Sequence, residues 1–224
     1  MIDGLDRFAE PLLHVAVCAV LLLLAVSVHE AGHAWAAQQR GDPTGALQGR
    51  LSLLPFTHFD WIGCLLFPVL LVWAHSPYII GFGRPTPVDP ARLKRPKADF
   101  ALVAVAGPAA NLALALALTL MGALGFQGLG LRSPEAALLL GAAIAINIML
   151  ACFNLLPLPG FDGLKALYAF LPDEWCWRLQ RGERYFLLVL LLAAWLGPLD
   201  LVLYPGFWLS RVLCGLAGVP LPAL

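Results

Sequence analysis

Residues 12–39 read LLHVAVCAVLLLLAVSVHEAGHAWAAQQ, a run with no proline, lysine, arginine or aspartate and with Glu30 as its one acidic residue. At about 1.5 Å per residue this makes a helix about 42 Å long, more than the roughly 30 Å of a bilayer's hydrocarbon core. It predicts a membrane-spanning helix. Over the 224 residues, 60% are hydrophobic, 12% are charged and the mean hydropathy is +0.81, which excludes an ordinary water-soluble globule. Fourteen basic residues balance fourteen acidic ones, so there is no electrostatic footprint for nucleic acid and no such partner is expected. Asp3, Asp6 and Glu10 against Arg7 do not make the basic opening of a secretory signal, so the first apolar run is expected to stay in the mature protein. The cysteines, Cys18, Cys64, Cys152, Cys176 and Cys214, are odd in number and lack CxxC pairing; they read as core or lipid-facing residues.

Working outward, 47–53 alternates Leu47, Gly49, Leu51 and Leu53 with Gln48, Arg50 and Ser52, the pattern of a half-buried strand. Residues 62–80 are apolar but broken by Pro68 and Pro77, and the proline-rich stretch 81–99 reads as an extended connector. A second span is expected from 100 to about 124, and a third from about 135 to 156, where Pro157 and Pro159 stop it. A short helix over 164–170 precedes the charged stretch 172–184, in which Trp175 and Trp177 read as interface anchors. Apolar residues 185–216 make one tilted span or two short ones. The expected fold is an all-α polytopic membrane protein with a small membrane-associated β element. It forms a single unit over 1–224, with a core at about 11–170 and C-terminal membrane segments at 185–217.

Lys and Arg in short loops are retained on the cytoplasmic side. Arg40 and Arg50, then Arg92, Lys94, Arg95 and Lys97, then Arg178, Arg181 and Arg184 all fall on one side only if 62–80 dips into the membrane and returns. That arrangement puts the N-terminus outside. A full crossing by 62–80 would move the cluster at 92–97 to the other face.

The chemistry starts at His29-Glu30-Ala31-Gly32-His33. Positions i and i+4 share a helix face, so two imidazoles can meet one zinc ion, with Glu30 beside them as general base. His29 lies about 26 Å along the helix from Leu12, within the membrane, where ionisable residues default to functional status. A catalytic zinc wants a third protein ligand and an open position. Asp162, in NLLPLPGFDG at 154–163, is the candidate, since Pro157 and Pro159 end the third span and let a new helix point back; an N-cap at the interface explains it nearly as well. His58 with Asp60 reads either as a pair that tunes the site or binds metal or as a polar turn, Asn111 as a helix contact, and His14 and His75 as interfacial residues.

HEAGH and NLLPLPGFDG together resemble the hallmarks of the site-2 protease family of intramembrane zinc metalloproteases, and look closest to its short bacterial branch without PDZ or CBS domains. GDPT at 41–44, HFDWIG at 58–63, GRPTPVDP at 83–90 and AGPAANL at 106–112 are similar to that branch, although Trp61 stands where proline is usual. The resemblance implies one Zn2+ per chain on His29, His33 and Asp162, with Glu30 activating the water and Asn154 hydrogen-bonding substrate or oxyanion. It further implies a transmembrane protein or peptide as substrate, cut in or near its membrane segment in the bacterial inner membrane, with the active site toward the cytoplasm. The strand-like 47–53 and the extended 83–88 are expected to offer that substrate a pairing edge. The competing reading is a zinc-binding transporter or scaffold without hydrolytic activity.

Overall fold

The computed structural model describes residues 3–67, 69, 70, 81–185, 188, 192 and 199–222, with backbone alone for 3–15, 65, 184 and 199–202. Helix α1 runs Asp3–Gln39 and is followed by a single turn, α2, Thr44–Leu47. Helix α3, Pro96–Gly122, continues into a π-helical turn, Ala123–Gly128. Then come α4, Pro134–Asn154, the short α5, Asp162–Leu167, α6, Asp173–Gly182, and α7, Leu199–Ala217. Among the described residues, three stretches are long and apolar enough to cross a bilayer: Ala16–Gln39, Pro96–Gly128 and Pro134–Asn154. The protein is an all-α, multi-pass membrane protein.

Helix ends follow their local chemistry. Ser133 accepts the Ala136 amide at 3.2 Å and Pro134 opens α4, where a missing N–H costs nothing. Helix α1 stops at Gly41, whose φ of +107° suits glycine, while the Asp42 amide reaches back to the Ala37 carbonyl at 2.9 Å.

The spans pack through small residues. An added Cβ at Gly32 of α1 would lie 2.9 Å from both the Ala106 carbonyl oxygen and the Ala110 Cβ of α3. Ala115 of α3, Leu140, Ile144 and Ile148 of α4, and Leu213, Cys214 and Ala217 of α7 form one core cluster. Val20, Leu116, Leu120 and Leu138 stay exposed, as lipid-facing side chains of spanning helices must. Two hydroxyls inside the bundle are satisfied within their own helices: Ser27 and Thr119 donate to the carbonyls of Leu23 and Ala115.

Among the described residues there is no β-strand, which corrects the expected β element. Residues 47–53 form the end of α2 and a turn through Gly49 at φ +75°. Their alternation arises because Arg50 turns inward to donate to the Thr57 carbonyl at 2.6 Å, while Leu47, Leu51 and Leu53 point outward. Apolar and inward are not the same direction beside a bilayer.

The path of 71–80 lies outside the described residues, as do His75 and most of 185–198; the His14 side chain is also outside them. The described flanks of that path meet: the Phe82 amide donates to the Gly63 carbonyl at 3.2 Å and Cys64 Sγ lies 3.3 Å from the Phe82 carbonyl oxygen. Arg40, Lys94 and Lys97 share one end of the bundle: the Lys94 amide donates to the Arg40 carbonyl at 3.1 Å, and Lys97 pairs with Asp173 of α6 at 2.5 Å.

Candidate active site

Four-residue spacing on α1 puts His29 and His33 on one face, with ring centroids 4.7 Å apart and both residues buried. The third group comes from far along the chain. Past Asn154 the prolines end α4, and the chain reverses through Gly160 at φ +92°; Gly163 lies so close to the Leu155 carbonyl that any side chain there would collide with it. Helix α5 then starts with Asp162 as its first residue. Its carboxylate makes no cap: Oδ2 lies 3.0 Å from His29 Nε2 and 3.1 Å from His33 Nε2. The N-cap alternative is thereby removed.

Hydrogen bonds on the far side of each ring decide what these atoms can do. His33 Nδ1 is 2.7 Å from the Val103 carbonyl oxygen, which can only accept, so Nδ1 carries the proton and Nε2 keeps its lone pair. Pro108, inside α3, lacks the N–H that would bond the Ala104 carbonyl. His29 Nδ1 sits 2.6 Å from Asn111 Oδ1, and Asn111 Nδ2 donates to the Ala25 carbonyl at 2.9 Å and to Asn147 Oδ1 at 2.8 Å. In the neutral ring, Nε2 of His29 is then left with its lone pair too. Two ring lone pairs and a carboxylate oxygen thus meet at 3.0 and 3.1 Å. Positive charge between them, a metal ion or a proton on a ring, makes that arrangement favourable in a buried place.

The donor set fits zinc. Bonds of about 2.0–2.1 Å in a tetrahedral site put donors about 3.3 Å apart, close to the spacings here, and all three donor atoms lie within 4.8 Å of one another. Lys165 donates to Asp162 Oδ1 at 3.1 Å, holding the second carboxylate oxygen away from the rings. Gly107 of α3 is what lets the helix approach: an added Cβ would collide with His33 Nε2 and lie 2.8 Å from His29 Nε2.

A cavity of about 450 Å³ opens beside these groups, walled by α1, α3 and α4 and by the extended segment 81–88. Glu30 and Asn154 line it. Glu30 Oε2 accepts the Thr86 amide at 2.7 Å, and Thr86 Oγ1 donates to the Glu30 carbonyl at 3.0 Å. Asn154 Nδ2 donates to the Leu150 carbonyl at 2.9 Å, which turns the amide along its own helix. As a pairing edge, 83–88 is poor in donors: Pro85 and Pro87 have no N–H, and the amides of Arg84 and Thr86 go to His58 and Glu30.

His29, His33 and Asp162 therefore meet, with Glu30 and Asn154 on the wall of the same cavity. His58 does not join them. It is fully buried under the neighbouring loop, with Nε2 2.8 Å from the Ser52 carbonyl oxygen. Asp60 accepts the amides of Ile62 and Gly63 and so caps the turn that Trp61 opens; it is structural as well. Sequence reasoning missed Thr86, Gly107, Asn147 and Lys165. Asn147 could have been found as the one amide side chain in the interior of the third apolar span, and Lys165 by standing one helical turn after Asp162.

Over 194 residues, covering 84% of both chains, the sequence is 34% identical to "Putative zinc metalloprotease YwhC" of Bacillus subtilis. It is 32% identical over 206 residues to "Putative zinc metalloprotease Rip2" of Mycobacterium tuberculosis, covering 84% of this chain and 71% of the relative. The Rip2 of Mycolicibacterium smegmatis is 31% identical over 196 residues, covering 82% and 70%. No family model matches the chain. No solved structure matches it. Two buried imidazoles aimed at one carboxylate, and relatives of this kind along most of the chain, lead to one conclusion: the protein is an enzyme with zinc as its cofactor, and belongs to the site-2 protease family of zinc metalloproteases.

Proposed function

We propose that the chain acts as a single protease unit that hydrolyses peptide bonds within or near the transmembrane segments of other membrane proteins. The observation that carries the reading is the depth of the site. His29 stands ten residues, about 15 Å, from the end of α1, and the cavity beside it is walled by all three spanning helices. A protease for soluble substrates has no need of a centre there. The centre lies nearer the end that gathers Arg40, Lys94 and Lys97, and by the positive-inside rule this supports a mouth toward the cytoplasm. The membrane in this reading is a bacterial inner membrane.

In this reading His29, His33 and Asp162 hold the metal. Zinc, when bound, supplies Lewis acidity toward the scissile carbonyl and toward water. Glu30 accepts a proton from the attacking water as its oxygen bonds the carbonyl carbon, and returns that proton to the amine nitrogen as the C–N bond breaks. The Thr86 amide orients the Glu30 carboxylate for this task. Asn154 has a second Nδ2 hydrogen beyond the one on Leu150, and offers it to the substrate or the oxyanion. A helical substrate must unwind locally before its carbonyl can enter, since its amides are otherwise paired within the helix.

The test uses purified wild type, Glu30→Gln, and wild type with a zinc chelator, each reconstituted with a single-span membrane protein, with cut sites mapped by mass spectrometry. Wild type is expected to cut within or a few residues from the span, and the other two not at all. Cleavage confined to the substrate's soluble part, or retained by Glu30→Gln, overturns the proposal.

A further inference from the structure

We infer that Asn147, which touches no metal ligand, is a positioning residue: it sets the direction of an amide relay through Asn111 that keeps His29 in the zinc-binding tautomer. The inference rests on His29 being a ligand. The relay runs across three spans. The Ala143 carbonyl can only accept, so Asn147 must present Nδ2 to it at 2.9 Å and turn Oδ1 toward Asn111. Asn111 must then present Nδ2 to Asn147, at 2.8 Å, and Oδ1 to His29, at 2.6 Å. His29 therefore carries its proton on Nδ1. The direction of the relay is set by a backbone carbonyl of α4 and ends at the metal position.

A reversed Asn111 would aim its oxygen at two acceptors, the Ala25 carbonyl and Asn147 Oδ1, while offering N–H groups to His29 Nδ1. His29 would then hold its proton on Nε2, where it blocks the metal. Asn111 is fully buried and Asn147 is 3% exposed, so water has little access to repair a mismatch. The two acceptors together fix Asn111, and Asn147 is the half of that lock that mutation can remove. Direct partners of ligating histidines are typically worth about 10- to 100-fold in affinity or activity, so loss of the more remote Asn147 is expected to weaken zinc binding about three- to tenfold.

The experiment measures zinc affinity by chelator competition and, on zinc-free protein, the His29 tautomer by ¹⁵N NMR of labelled histidine. Asn147→Leu is expected to bind zinc three- to tenfold more weakly and to show a mixed His29 tautomer. Asn147→Asp, which keeps an acceptor toward Asn111, is expected to restore both. Asn147→Ala serves if the leucine variant does not fold. Unchanged affinity in the apolar variant overturns the inference, as does weakened affinity with an unmoved tautomer or without rescue by aspartate. His29→Ala is the separate control: if it binds zinc like wild type, the ligand assignment fails, whatever Asn147 does.

Discussion

Gly107→Ala adds a single carbon on α3, and the structure says where that carbon goes. It would collide with His33 Nε2, lie 2.6 Å from His33 Cε1 and lie 2.8 Å from His29 Nε2, whereas ordinary contacts begin near 3.4 Å. Each ring must withdraw by about 0.6 Å or more, but metal–ligand distances tolerate only about 0.2 Å. Neither ring has an easy retreat, since His33 is tied to Val103 and His29 to Asn111. Zinc affinity is therefore expected to fall at least about 100-fold. The fold should survive, because overpacking costs about 1–3 kcal/mol while replacing a helical glycine by alanine returns about 1 kcal/mol. The assay pairs zinc content after dialysis against a graded chelator with a thermal melt in detergent. Gly215→Ala on α7, where an added Cβ meets nothing within 4 Å, is the control, expected to keep zinc and to gain up to about 1 kcal/mol. If Gly107→Ala binds zinc within threefold of wild type, the account of α3 as the close wall of the site is wrong.

Asn154→Leu should keep zinc and fold but lose about 10²-fold in kcat, read in a reconstituted cleavage assay. Lys165→Met removes the 3.1 Å hold on Asp162 Oδ1 and is expected to lower metal affinity or turnover about tenfold, checked by competition and kinetics on one preparation. Asp42 is a stability prediction with a pH sign. Burial opposes its ionisation, but hydrogen bonds from the Thr44 hydroxyl and the Asp89 and Thr44 amides, together with Arg92, hold its carboxyl below the usual range. Its contribution is thus complete at neutral pH and lost as pH falls below about 4, through the lowered folded value. Asp42→Asn should cost about 1.5–3 kcal/mol at pH 7 and flatten the acid limb of a melting-temperature profile. Zinc removal by chelation should lower the melting temperature, with a loss of stability that grows with free zinc in the control and reaches about 4 kcal/mol at a thousandfold excess over Kd.

What was legible in the sequence was what is local. The spacing of His29 and His33, the proline stops after Asn154 and the length of each apolar run depend only on near neighbours and on helix geometry. Asp162 could be assigned only with the help of a resemblance, because nothing within its own decamer says that its carboxylate travels back to α1. The strand expected at 47–53 failed for a physical reason. Period-two apolarity marks a strand when one face meets a core and the other meets water. Here Leu47, Leu51 and Leu53 face outward on a membrane protein, and Arg50 is the residue that goes in. Thr86 was hidden in a connector whose prolines describe shape and not contact. Asn147 was visible as an oddity, but its meaning needed Asn111 and Ala143 in place around it.

Helix α3 does more for this site than the helix that carries the histidines. Within about two turns, Val103 accepts one imidazole proton, Gly107 clears space at both Nε2 atoms, and Asn111 accepts the other imidazole proton. The stretch that contains Gly107 and Asn111, AGPAANL, thus has a physical task beyond packing. It aims two lone pairs at a point where α5 later delivers a charge. Direction and charge therefore come from different parts of the chain. A change in α3 alters which way the nitrogens point while leaving Asp162 in reach. A change in α5 removes the carboxylate and leaves two correctly aimed nitrogens. The first, where it removes the Asn111 acceptor, should yield a site that binds metal poorly because the proton sits on the wrong nitrogen. The second should yield one that still binds zinc, more weakly, through two imidazoles, and the two defects can be told apart by the histidine tautomer alone.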